Sequence, residues 1–145
     1  MPEAARHVTA LESHPMESNA VLPEVPPIDR PSLVARCMGD AAFACMILGK
    51  FQARAPEMVA AIERALTAGD AAAAGRAAHG LKGAAANLSA EGVRVAAEAI
   101  ESAGHDGDLT AAAGHVASLR AAMDRCLAYV PTLVAALQRG PAAAA

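Results

Sequence analysis

Apolar residues recur along this chain in steps of three and four. Leu109, Ala112, Val116, Leu119, Met123, Cys126, Val130, Leu133 and Leu137 form one unbroken series of such steps. Ile47, Phe51, Ala55, Met58, Ile62 and Leu66 form a second, and Ala74, Ala77, Leu81, Ala84 and Leu88 a third. A period near 3.6 residues describes a helix with one buried stripe. The breaks between the series share one device. Gly39-Asp40, Gly69-Asp70 and Gly107-Asp108 each set a glycine, which tolerates the left-handed turn that ends a helix, before an aspartate, which can accept from the orphan N–H groups opening the next. Cutting there predicts helices over 30–38 with Asp29 as N-cap, 41–68 bent near Pro56, 71–88, 90–103 with Ser89 as N-cap, and 109–138 disturbed near Pro131. The expected fold is all-α: an antiparallel up-and-down four-helix bundle with a short additional N-terminal helix.

Outside 28–139 this periodicity fails. Six of the nine prolines lie within the first 31 residues, so 1–27 is expected to be a disordered leader and 140–145 a frayed tail.

Composition strengthens the helical reading, because much of the 54% apolar content is alanine, the best helix former, and only 2% is aromatic. A net charge of −3 argues against nucleic acid as a partner. No stretch approaches the roughly 20 apolar residues of a membrane span. The N-terminus lacks a basic-then-apolar signal pattern. Cys37, Cys45 and Cys126 have no CxxC spacing and sit among apolar residues, as expected of free thiols in a reducing compartment. A cytoplasmic protein without membrane contact is the expectation. His7, His14, His105 and His115 form no pair with metal-ligand spacing and read as ordinary residues, so no metal site is expected.

His79 is different. It stands two residues after Ala77 and two before Leu81, which at 100° per residue puts it about 160° from either, on the solvent side. Its neighbours three and four positions away are Gly75, Arg76, Lys82 and Gly83, and Gly80 follows it directly. Each interior glycine costs about 1 kcal/mol relative to alanine. Three of them around one imidazole make no sense for local stability, but they leave the ring open to a bulky partner. The flanking cations suit a ring that takes on negative charge.

The run Ala78-His79-Gly80-Leu81-Lys82-Gly83-Ala84-Ala85-Ala86-Asn87-Leu88-Ser89-Ala90 resembles the signature of histidine-containing phosphotransfer (HPt) domains, H-x-L-K-G followed by small residues and N-[LI]-G-A. The likeness extends to Asp29 and Leu33 at the opening, to Phe51, Pro56 and Glu57 in the long helix, and to an Ala97, Ile100, Glu101 ending. Gly80 stands where the family more often has Ser or Thr, and Ser89 where it usually has Gly.

The resemblance implies that His79 accepts a phosphoryl group through Nε2 from the aspartyl phosphate of one receiver domain and donates it to another. Lys82 would steady the phosphoryl oxygens, and Gly83 would keep the approach open. Such a protein has no kinase activity and no cofactor of its own, Mg²⁺ being supplied by the receiver. Its partners would be response-regulator receiver domains and a hybrid sensor histidine kinase, and the protein itself a monomer. Arg76, from helical spacing, joins Gly75, Ala86, Leu33, Phe43 and Met46 as candidates for the partner-binding surface. The rival function is a helical adaptor that docks a receiver without transfer.

Overall fold

The computed structural model describes residues 25–140, and every regular element among them is helical. The elements are α1 (Arg30–Arg36), α2 (Ala41–Thr67), α3 (Ala71–Asn87), α4 (Glu91–His105), α5 (Leu109–Gly114) and α6 (Val116–Arg139). The expected leader falls outside the described residues except for 25–27, which are not helical, and so does the tail beyond Gly140.

The Gly-Asp junctions work as their chemistry predicts. Gly39, Gly69 and Gly107 take φ of +78°, +73° and +74°. The aspartates then cap: Asp40 accepts from the Phe43 N–H at 3.0 Å, Asp70 from Ala73 at 2.9 Å and Asp108 from Ala111 at 3.0 Å. Asp29 accepts from Ser32 at 3.1 Å to open α1.

The junction between α3 and α4 differs. Ser89 is not the N-cap; Ala90 is, with no side-chain bond, and Ser89 instead takes the left-handed turn at φ +59°. Its hydroxyl donates to Ser32 Oγ at 2.8 Å and accepts from Arg36 Nε at 3.2 Å, tying the turn to α1. The Asp29 N–H adds a backbone bond to the Ser89 carbonyl at 3.0 Å. The expected last helix is likewise two, parted at His115 just after Gly114, a poor helix former. Pro56 and Pro131 both lie inside continuous helices, exposed to solvent.

Around the core, α2 packs on α3 and α6, and α4 packs on the same two; α3 and α4 share the most extensive contact. Leu48, Ile62, Leu81, Ile100, Leu119 and Leu133 are fully or almost fully buried there, each contributing about 1.5–3 kcal/mol of transfer free energy. The α1 helix meets α2 at 107°. It is held by Leu33 and by Ile28 just ahead of it, both 0% exposed. These are the N4 and N′ positions around the Asp29 cap, the pairing of a hydrophobic staple.

Cys37 and Cys126 are buried free thiols, while Cys45 is only half-buried. Burial pushes the Cys37 thiol upward, with Asp40 adding to it, and raises Cys126 to about 11. Among the described residues no single helix is long and apolar enough to cross a membrane.

Candidate functional site

The buried face of α3 is turned further toward α4 than the alanine stripe suggested. Ala74, Gly75, Ala78, Leu81, Ala85 and Leu88 are buried, whereas Ala77 and Ala84 are only half so. Gly75, four residues before His79, lies about 40° from it around the helix. His79 is therefore exposed, at 68% of its side chain, yet stands at the edge of α4 rather than diametrically away from the core.

That placement brings in a residue that helix-local spacing did not single out. Glu101 of α4 gives one oxygen to each of two side chains: Oε2 lies 2.5 Å from His79 Nδ1, and Oε1 lies 2.6 Å from Lys82 Nζ. Bonding to Lys82, and next to His79, holds the Glu101 carboxyl below the usual carboxylate range. An ionised carboxylate can only accept, so the Nδ1–H donates. In the neutral ring the lone pair is then left on Nε2. Lys82 is ion-paired with this carboxylate, not a free cation beside the ring. The sequence signal for Glu101 was its place in the Ala97, Ile100, Glu101 ending; what it touches is a tertiary fact 22 residues distant.

The reach of Glu101 depends on how closely the two helices cross. A Cβ on Gly104 would stand 2.6 Å from the Ala71 carbonyl oxygen and 2.7 Å from Gly75 Cα; one on Gly75 would stand 3.3 Å from the Glu101 carbonyl oxygen. Backbone meets backbone there, and at Gly104 only glycine admits the approach, while a Cβ at Gly75 would be tight. Gly75 is thus a crossing residue and not part of an accessible partner surface, which corrects the expectation from spacing. A Cβ at Gly80 or at Gly83 would meet nothing within 4 Å.

The remaining candidates divide. Leu33 is sealed in the core at 0% exposure and cannot belong to a partner surface, because the staple with Ile28 turns it inward. Phe43 and Met46 are 44% and 47% exposed on α2. Arg76 is exposed and lines the α3–α4 groove together with His79. Ala86 is half-buried beside Ser89 and Arg36. Among the described residues no group of three or more His, Cys, Asp and Glu could hold a metal ion.

An all-helical fold presenting one histidine above an H-x-L-K-G turn is the mark of a phosphotransfer domain. The Hpt domain family model matches residues 46–138, and the chain belongs to that family, whose members act in phosphorelay signal transduction with receiver domains and histidine kinases. The fold is similar to the crystal structure of histidine-containing phosphotransfer protein B (HptB) from Pseudomonas aeruginosa PAO1. The TM-score is 0.66 at 24% identity, over 81% of this chain and 100% of that one. No sequence among curated proteins matches the chain.

Proposed function

We propose that the protein shuttles a phosphoryl group between receiver-domain aspartates through His79. The observation that carries this reading is the Nδ1 contact to Glu101, which leaves the Nε2 lone pair facing solvent beside two glycines that cast no steric shadow. Nε2 attacks the phosphorus of an aspartyl phosphate in line; the N–P bond forms as the P–O bond breaks, and the receiver's carboxylate departs. No proton has to leave the ring, because Nδ1–H stays donated to Glu101, whose charge offsets the phosphoimidazolium. Donation to the next receiver is the reverse. Lys82, kept beside the ring by the same carboxylate, is at hand for the phosphoryl oxygens. Gly83 keeps the approach open.

Phosphoryl transfer relies on positioning and charge stabilisation, so Mg²⁺ and the acidic pocket can come from the receiver, and the chain needs no kinase activity or cofactor of its own. We take the helices as an antiparallel up-and-down four-helix bundle carrying α1 as an addition. It would work as a cytoplasmic monomer fed by a hybrid sensor histidine kinase, apart from membrane and nucleic acid. Short connections and the neighbour relations of α2, α3, α4 and α6 support that arrangement.

Incubation with a phosphorylated receiver tests the reading. The wild type gains an acid-labile phosphoryl group at His79, and His79→Gln gains none while its helical circular dichroism is unchanged. Gly83→Gln should also remain unlabelled, by obstruction. A wild type that binds the receiver without acquiring phosphate is an adaptor instead.

A further inference from the structure

Two cations flank His79 on α3, Arg76 before it and Lys82 after it, and their surroundings differ. Lys82 Nζ stands 2.6 Å from Glu101 Oε1 with its side chain only 28% exposed, so its charge is already answered. Arg76 is exposed and pairs with no carboxylate among the described residues. Together with His79 it lines a groove of about 760 Å³ between α3 and α4, which Lys82 does not line. The acidic groups of that groove are engaged, Glu98 by Arg94 at 3.1 Å and Glu101 by His79 and Lys82. His105, the other basic side chain there, stands a full turn beyond Glu101 along α4. The open space beside the imidazole is therefore bordered by Arg76.

Phosphorylation changes the charge of this site by a definite amount. With the ring neutral, Glu101 and Lys82 cancel. As the Nε2–P bond forms, the P–O bond to the receiver breaks and Nδ1–H is kept, so the site gains the single negative charge of PO₃⁻. We propose that Arg76 answers that charge: its guanidinium closes on the phosphoryl oxygens once they stand on His79 Nε2, and holds the group on this protein as a further catalytic residue. The proposal rests on the phosphotransfer reading and adds a residue to it. Residues three apart on a helix have Cβ atoms about 5–6 Å apart, within the span of an arginine side chain. Its planar fork of N–H donors matches a pair of phosphoryl oxygens. No ion pair among the described residues has to break first, whereas Lys82 would have to leave Glu101. A receiver carboxylate is the rival occupant of the same guanidinium, and would make Arg76 a docking residue instead.

The test takes the full chain with the receiver that labels His79 fastest and reads the equilibrium constant for transfer. Docking affinity cancels from that constant, so only the relative stability of free and phosphorylated His79 moves it. Arg76→Ala should lower it about five-fold, and Arg76→Lys should keep most of it. Arg125→Ala on α6 should leave it unchanged, and circular dichroism reports that each variant is folded. In ³¹P spectra of the isolated phosphoprotein, the midpoint of the phosphoryl titration should rise in Arg76→Ala, because a neighbouring cation favours the dianion. If either the constant or the midpoint is unchanged in folded Arg76→Ala, the proposal is overturned. A weaker Kd for the unphosphorylated receiver with both unchanged makes Arg76 a docking residue. A wild type that never gains label at His79 overturns the phosphotransfer reading and this proposal with it; a labelled wild type matched by Arg76→Ala overturns this proposal alone.

Discussion

Glu101 serves two side chains of unlike character with one carboxylate, and the consequences can be read separately. Replacing it by Gln keeps an acceptor for Nδ1 but removes the charge that retains Lys82; replacing it by Ala removes both. We expect Glu101→Ala to slow phosphoryl transfer on the order of ten-fold, and Glu101→Gln less. Imidazole ¹⁵N shifts should show a single Nδ1–H tautomer in the wild type and a mixture in Glu101→Ala. Because its folded pKa is lowered, Glu101 stabilises the fold above its unfolded value, near 4.5, and that contribution is lost as pH falls through the lower folded value. The stability gap between wild type and Glu101→Gln, measured by denaturant melts, should therefore be open at pH 7 and close in strong acid. His79 and Lys82 were legible because they lie on one helix three residues apart. Glu101 was not, since its role arises only where a second helix crosses the first.

At the scale of elements, the glycines of α3 and α4 fall into two kinds that look alike in sequence. Gly80 and Gly83 face open space; Gly75 and Gly104 are pressed against each other. The same substitution should then act with opposite sign. Gly83→Ala should stabilise by about 1 kcal/mol through helix propensity. Gly104→Ala should destabilise by about 1–3 kcal/mol by forcing the helices apart, and should slow transfer too, as Glu101 is carried away from the ring. Urea melts with a transfer assay check both. Helix limits were readable at the Gly-Asp junctions because cap and left-handed turn are local chemistry. The break at His115 was hidden because the apolar steps run through it without interruption.

For the whole molecule, α1 is the element whose place depends most on distant contacts. Ile28, outside any helix, is fully buried with Leu33, and Ile28→Ala should cost about 2–5 kcal/mol, read as an earlier urea midpoint. That pair also explains why Leu33 was misjudged: a one-stripe reading of a seven-residue helix does not fix which face turns inward, whereas the five-residue interval across the Asp29 cap does.

Ser89 stands at the meeting of these levels. An L-residue in the left-handed region is strained by roughly 1–2 kcal/mol, and glycine would relieve it. But the strained residue is also the peg on which Arg36 and Ser32 of α1 hang. Ser89→Gly should therefore ease the turn while releasing α1, so that relief of local strain and loss of tertiary anchoring pull the urea midpoint in opposite directions.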